Sequence, residues 1–172
     1  DDYRAALRQR DAGCLAVETG EKQLEVLLAV RKTCQEEAER VQRDATRQLS
    51  GLVDRCLKAV FGEDALGFRI DVVQKRGKTE AVLCFVDADG EVMDPAEEVG
   101  FGMLDVAAFA LRLGNLLLSV PRKRKLLLLD EPMRCVNGKE NQDRVGELLE
   151  TLSKELGVQM IIVSDRSWLR IG

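Results

Sequence analysis

The sequence of 172 residues contains no histidine, and only 4% of it is aromatic. Histidine is the commonest general base and metal ligand in proteins, so its absence removes the usual means of both kinds of chemistry. The net charge of −4 does not by itself indicate a nucleic-acid partner, which would require a local basic patch. The remaining composition, 33% charged and 45% apolar, is typical of long solvated helices joined to an aliphatic α/β core.

The cysteines lack the pattern of a disulfide framework or a zinc site. Five occur, an odd number, and no Cys-x-x-Cys pair is present. This predicts reduced thiols in a cytoplasmic, reducing compartment. The first ten residues, DDYRAALRQR, are charged and polar and do not form a signal peptide. Because the sequence begins without methionine and inside a helical pattern, we expect it to be a fragment of a longer protein.

A long apolar run without charges is also missing. The most apolar stretch, Met103 to Val120, contains Asp105, Arg112 and Asn115. Such side chains are rare in helices that cross a membrane. We therefore predict a buried core helix at 103–119 and no contact with a membrane.

Residues 1–61 contain no proline and are predicted to form a long helix. Apolar residues recur there mostly in steps of three and four, with charged flanks. They are Leu24, Leu27 or Leu28, Cys34, Ala38, Val41, Ala45, Leu49, Leu52, Cys56 and Val60. Gly13 and Gly20 weaken the pattern, so a break is expected near them. The spacing fits a coiled coil and an amphipathic helix packed on its own domain equally well.

The next segments predict a small antiparallel sheet. FRIDVVQK and EAVLCFVDA are rich in β-branched and aromatic residues, and they flank a turn at residues 76–78. The tight turn DADGE then leads to a short strand at Val92–Met93.

The last third of the sequence predicts a strand–helix–strand unit. The apolar segments LLLLD, at 126–130, and VQMIIVS, at 158–164, frame an amphipathic helix at 138–156 that Gly157 would end. Strands of this kind are covered on both faces in a parallel sheet. The predicted fold class is thus α/β, with a helical region at 1–61 and a compact region at 62–172.

Two adjacent carboxylates end the first of these parallel strands, in the segment KLLLLDEP. Ligands bind at the carboxyl ends of strands in open α/β sheets, which is where Asp130 and Glu131 lie. An aspartate there can hold Mg²⁺, and the next residue can polarise a water for attack on a phosphate. The alternative is an acidic turn without chemistry, in which Pro132 stops the strand.

A phosphate-binding P-loop, G-x-x-x-x-G-K-[ST] between a strand and a helix, is absent from the sequence. Gly77-Lys78-Thr79 has the right last three residues, but Val72 stands where the first glycine is needed. That tripeptide also joins two predicted strands. The chain therefore has the water-polarising half of a nucleotide hydrolase without the phosphate-binding half.

This order of parts resembles the C-terminal half of the head domain of ABC-type ATPases of the SMC, RecF and SbcC group. The resemblance covers nearly the whole chain and is closest to SbcC-type subunits of DNA double-strand-break repair nucleases. In such heads a long antiparallel coiled coil separates the P-loop lobe from the C-terminal lobe. The resemblance implies that residues 1–61 are the returning coiled-coil helix and that residues 62–172 are the C-terminal lobe, with signature helix, Walker B strand and D-loop.

The hydrolytic residues are assigned through this resemblance. Asp130 corresponds to the Walker B aspartate, a metal ligand, and Glu131 to the catalytic glutamate. In the family pattern DEPxxxLD the last position falls on Asn137, which can hydrogen-bond across a dimer interface but lacks the charge. Asp165 stands where the switch histidine is expected. Arg112 matches a basic residue that couples nucleotide state to rotation of the lobe.

The signature loop, usually Ser-Gly-Gly-Gln at the start of a helix, corresponds to EEVGFGMLDV. Val99 stands in place of the serine, Gly100 and Gly102 match the glycines, and Phe101 interrupts them. Backbone N–H groups at this helix start could still face a γ-phosphate. The resemblance thus implies nucleotide contacts from Val99, Gly100, Gly102, Asn137 and Asp165.

Cofactors and partners follow from the same resemblance. They are ATP and Mg²⁺, an N-terminal P-loop lobe, a second head that forms a homodimer around two ATP molecules, a metallophosphoesterase nuclease subunit and double-stranded DNA. The implied function is ATP-driven head engagement and hydrolysis in DNA repair or recombination.

Two other functions compete with this one. The departures at Val99, Asn137 and Asp165 favour a degenerate head that binds DNA or protein without hydrolysis. A structural coiled-coil protein with an unrelated α/β cap would need no nucleotide. The basic run Arg122 to Lys125 fits either contact with DNA phosphates or a solvated turn.

The chain on its own is predicted to bind ATP negligibly, because it lacks the backbone cradle and the lysine that supply most phosphate affinity. Calorimetric titration of Mg-ATP into the isolated chain tests this. Saturable binding in the micromolar range would mean that the phosphate site has been misplaced.

Overall fold

The computed structural model describes residues 2–169. These belong to two units: the first ends at Asp44 and the second begins at Ala45. Helix α1, Asp2–Phe61, contributes to both.

The first unit consists of the α1 residues up to Asp44. Its large apolar side chains are exposed, including Leu24, Leu27 and Val41. Ion pairs between side chains three or four residues apart run along it, for example Lys22 with Glu18 at 2.7 Å and Arg40 with Glu37 at 2.6 Å. Each such pair adds only about 0.3–0.5 kcal/mol.

The break expected near Gly13 and Gly20 does not occur, and that expectation was wrong. Helix α1 is continuous through both glycines. A glycine inside a helix costs about 1 kcal/mol relative to alanine, which is less than the penalty for proline. The helix ends instead at Phe61, where Gly62 has a φ of +63°. This left-handed conformation is typical of a glycine that follows a helix.

In the second unit, the last turns of α1 form one wall of the core. Val53, Cys56, Leu57 and Val60 are buried at helical spacing. Burial raises the pKa of the Cys56 thiol to about 11, so this cysteine stays a neutral, apolar side chain.

A three-stranded antiparallel sheet follows a short 3₁₀ turn at Gly62–Asp64. Its strands are β1, Gly67–Lys75, β2, Lys78–Val86, and β3, Val92–Met93. Arg76 and Gly77 form the turn between β1 and β2, with φ values of 51° and 73°, as a two-residue type I′ hairpin requires. The predicted antiparallel sheet is confirmed, with β2 beginning two residues earlier than expected.

Helix α2, Phe101–Leu118, runs through the core. Its buried residues are Val106, Ala107, Phe109, Ala110, Leu113 and Gly114. Among the described helices, α2 is the one whose length and composition would allow it to cross a membrane. Its buried side chains pack in the protein core with α1 and the other elements, as predicted for residues 103–119.

The strand–helix–strand unit is present as predicted. It consists of β4, Leu126–Asp130, α3, Lys139–Leu156, and β5, Gln159–Val163. The two strands pair in parallel, with Leu126 opposite Gln159 and Asp130 opposite Val163. Gly157 ends α3 in the left-handed conformation, and the helix cap is a backbone N–H bond to the Ser153 carbonyl.

One face of the β4–β5 sheet is apolar and exposed. Leu126, Leu128, Ile161 and Val163 lie on it, and the side chain of Leu128 is 71% exposed. The alternate residues of the strands point to the opposite face, where Leu129 is buried in the core. Each strand also has one edge without a partner among the described residues.

Replacement of Leu113 by alanine should destabilise the second unit by about 2–5 kcal/mol, because it leaves a cavity in the core. Leu113 is 0% exposed, whereas Leu118 in the same helix is 42% exposed and provides the control. Urea unfolding followed by fluorescence of Trp168, the single tryptophan and a residue packed against the core, reports on this unit. Equal losses for Leu113→Ala and Leu118→Ala would contradict the assigned core position of α2.

Candidate functional site

Glu131 lies directly beyond the carboxyl end of β4. Its backbone N–H donates to the carbonyl of Val163, at 2.8 Å, and so continues the pairing with β5 by one residue. Its φ is +45°, in the left-handed region that residues other than glycine seldom occupy. Such a conformation costs about 1–3 kcal/mol and persists only where the surroundings impose it. Strained residues of this kind concentrate at functional sites.

The Glu131 carboxylate is half-buried and is held from the end of β5. The backbone N–H of Asp165 donates to Oε1 at 2.8 Å, and the Ser164 hydroxyl donates to Oε2 at 3.2 Å. Ser164 Oγ in turn accepts the backbone N–H of Arg166 at 3.1 Å. These bonds fix the orientation of Glu131, and no cation pairs with it among the described residues.

Asp130, the last residue of β4, differs from its neighbour. Its side chain is exposed and has no hydrogen bond or ion pair with the described residues. No group of three or more acidic or cysteine side chains that could hold a metal ion occurs in the described part of the chain. A single free carboxylate fits Mg²⁺ when phosphate oxygens and water complete its coordination.

The loop from Met133 to Asn137 is tied to the start of α2. The backbone N–H of Cys135 donates to Oδ2 of Asp105 at 2.8 Å. Met133, with a φ of 59°, and Val136 are buried and anchor the loop in the core. Asn137 is exposed beside them. Asp105 therefore acts as a structural link, a role that its place in an apolar helix did not indicate.

The residues before and within the first turn of α2 have contrasting surroundings. Val99 is buried in the core, so its backbone, not its side chain, is what this position can present to a ligand. A Cβ on Gly102 would lie 3.0 Å from the Cys135 carbonyl oxygen, whereas one on Gly100 would meet nothing within 4 Å. Phe101, between them, is 71% exposed. The backbone of α2 approaches the loop closely because residue 102 has no side chain.

Apart from Val99, which is buried in the core, the predicted site residues fall into two groups. Asp130, Glu131 and Asp165 lie at the carboxyl end of the parallel strands. Gly100, Gly102 and Asn137 line a separate cavity of about 570 Å³, which neither Asp130 nor Glu131 lines. Arg112 is exposed on α2.

Sequence reasoning missed four residues at these sites: Asp105, Arg134, Ser164 and Arg166. Ser164 could have been found, because it follows the second parallel strand and therefore lies at the same edge as Glu131. The contact between Asp105 and Cys135 joins residues 30 positions apart, and no local pattern signals it.

Solved structures with a similar fold are SMC heads. An Smc head domain with coiled coil and joint from Pyrococcus yayanosii matches 87% of this chain and 28% of its own, with a TM-score of 0.61 and 16% identity. An Smc head bound to the C-winged helix domain of ScpA matches 78% of this chain and 39% of its own, with a TM-score of 0.55 and 17% identity. The chain has the fold of an SMC head lobe.

A third similar structure comes from work on ATP-driven dimerization and DNA-stimulated activation of SMC ATPases. It matches 76% of this chain and 74% of its own, with a TM-score of 0.55 and 16% identity. This chain covers 28% and 39% of the first two SMC heads, which is less than half the length of each. No protein-family model matches the sequence, and no curated protein matches it significantly. The SMC-type fold confirms the predicted long helix, parallel sheet and antiparallel sheet.

Gly102→Ala should destabilise the second unit by about 1–3 kcal/mol, because the added methyl group meets the Cys135 carbonyl. Gly146→Ala is the matched control, since Gly146 lies inside α3 with nothing within 4 Å of the added carbon. There alanine should stabilise by about 0.5–1 kcal/mol. Trp168 fluorescence during urea unfolding measures both. A higher free energy of unfolding in Gly102→Ala would mean that the loop from Met133 to Asn137 is not in close contact with α2.

Proposed function

We propose that this chain is the C-terminal part of an SMC-like ATPase head of the SbcC type, which binds and hydrolyses ATP in DNA repair or recombination. The observation that carries the proposal is the geometry of Glu131 at the carboxyl end of a parallel strand. Its backbone has a positive φ, and its carboxylate accepts two hydrogen bonds from the residues that follow the neighbouring strand. A carboxylate oriented in this way suits a general base.

Each residue at the strand end has a separate role in this proposal. Asp130 would hold Mg²⁺, which supplies charge stabilisation to the phosphates when bound. Glu131 orients a water molecule and accepts its proton at a carboxylate oxygen. Ser164 and the backbone N–H of Asp165 keep that oxygen in position.

The phosphates of the bound ATP require an N-terminal P-loop lobe. The exposed apolar face of the β4–β5 sheet supports its docking here, because four large aliphatic side chains there have no cover among the described residues. The unpaired strand edges support it further, since a strand of the other lobe could extend the parallel sheet.

A second copy of the head would complete the ATP site. Gly100, Gly102 and Asn137, assigned to contacts with the opposite nucleotide, line one cavity. The first turn of α2 has no side-chain cap; Met103 and Leu104 donate their backbone N–H groups to the Gly100 carbonyl, which leaves those of Phe101 and Gly102 to a ligand. Val99 can offer only its backbone here, and the backbone N–H of Asp165 already donates to Glu131.

The remaining partners follow from the SbcC-type proposal. The exposed apolar residues of α1 in the first unit support pairing with a second coiled-coil helix. Double-stranded DNA and a metallophosphoesterase nuclease subunit would act with the assembled heads. The unpaired cysteines support the reducing cytoplasm as the location.

A second candidate is a head that binds DNA or protein without hydrolysis. The burial of Val99 favours it, because the serine hydroxyl of the family signature has no replacement at that position. The two hydrogen bonds that orient Glu131 favour hydrolysis. A measurement of ATP turnover distinguishes the hydrolysing head from the binding module.

In the complete ATPase, Glu131→Gln should lower the rate of ATP hydrolysis by about 10²–10⁴, because glutamine keeps the shape but not the base. ATP binding should persist, and the ATP-bound head dimer should last longer. Asp130→Asn should instead weaken Mg²⁺-dependent ATP binding. Single-turnover hydrolysis, paired with dimerisation measured by light scattering, tests both. Unchanged turnover in Glu131→Gln would remove the catalytic role of Glu131, whereas no turnover by the parent protein would support the binding module.

Ser164→Ala should reduce hydrolysis about tenfold, by removing one of the two hydrogen bonds that orient Glu131. The affinity for ATP should stay within twofold, because Ser164 contacts the carboxylate and not the nucleotide. Ser153→Ala, which removes a hydroxyl bonded to the Val158 carbonyl at the other end of β5, is the control. A loss of equal size in both variants would indicate a general effect on folding.

A further inference from the structure

The cavity beside α2 has a composition that the SMC-like assignment does not explain. It is lined by Phe61, Gly100, Phe101, Gly102, Met103, Arg134, Cys135, Asn137 and Arg166. Two arginines therefore face a space of about 570 Å³, together with an exposed aromatic ring and no carboxylate among the lining residues. A concave surface with this excess of positive charge suits an anionic ligand.

Both guanidinium groups are available to such a ligand. Arg134 is exposed and has no ion pair with a described carboxylate. Arg166 has only a 3.5 Å contact with Asp165, whose side chain is 82% exposed, and an exposed pair of this kind is weak. The one nearby carboxylate on α2, that of Asp105, already accepts the backbone N–H of Cys135.

The two arginines line the same cavity from different segments of the chain. The pKa of the Cys135 thiol is raised by partial desolvation and then by Asp105, while the charges of Arg134 and Arg166 act in the opposite direction. Arg134 comes from the loop after β4, and Arg166 follows β5. The parallel pairing of these strands thus brings two cations, far apart in sequence, to the lining of one cavity.

We propose that Arg134 and Arg166 bind the terminal phosphate of a nucleotide carried by a second copy of the head. This inference rests on the proposed function. Guanidinium groups match phosphate oxygens with paired hydrogen bonds, which a serine hydroxyl or a histidine cannot do. The arginines thereby supply the contact that Val99 and Asp165 do not.

The arrangement of the chain explains why the nucleotide belongs to a second copy. Asp130 and Glu131 do not line this cavity, so the two arginines face a space other than the one at the strand end. Phe101, 71% exposed at the cavity, adds an apolar surface suited to contact with another protein molecule. The arginines are positioning residues that join the two heads through the nucleotide.

The test uses the complete ATPase with Glu131→Gln as the parent, so that ATP is bound and not consumed. Arg134→Gln, Arg166→Gln and the double variant are compared with it. ATP affinity of the single head should stay within twofold. The dissociation constant of the ATP-bound dimer should rise about tenfold or more for each arginine lost, the effect expected for a hydrogen bond to a charged group.

Two further variants separate charge from structure. Arg134→Lys and Arg166→Lys should recover part of the dimerisation, which a purely structural role would not predict. Lys58→Gln removes an exposed cation of α1 outside the cavity and should leave dimerisation unchanged.

The outcomes are distinguishable. Undiminished ATP-dependent dimerisation in the double variant would overturn this inference and leave the proposed ATPase intact. If the dimer persists but binding of duplex DNA is lost, the arginines contact DNA phosphates and the inference is also overturned. A parent protein that forms no ATP-dependent dimer would reject the inference and the head-engagement mechanism together.

Discussion

The parallel pairing of β4 with β5 is the constraint on which both sites depend. Because the two strands point the same way, the residues that follow them emerge at one edge of the sheet. Glu131 and Ser164 meet there, 33 positions apart in the chain, as do the loops that carry Arg134 and Arg166. An antiparallel arrangement would have separated each of these pairs by the length of the strand.

A second constraint joins this edge to α2. Gly102 allows the helix backbone to approach the Cys135 carbonyl, and Asp105 accepts the Cys135 N–H one helical turn later. The loop after β4 is therefore attached at one end to Glu131 and along its length to α2. A displacement at either place would be transmitted through backbone contacts that have little freedom to adjust.

Much of the fold could be predicted from periodicity, and the reasons are local. The alternation of apolar and polar residues predicted the β1–β2 hairpin. A continuous apolar run predicted β4, and Gly157 predicted the end of α3. Glu131 was found because it follows a buried strand. The roles of Asp105 and the two arginines depend on long-range contacts, and the burial of Val99 depends on how α2 enters the core. None of these leaves a pattern in neighbouring residues.

The hydrogen bond from residue 165 to Glu131 comes from the main chain. The identity of the side chain at 165 is therefore not constrained by this contact, and any amino acid with a backbone N–H can provide it. Proline, which has none, is the exception. Any other exchange of residue 165 would leave this bond to Glu131 in place, so the alignment of the glutamate and the chemistry of the side chain at 165 can change independently of each other.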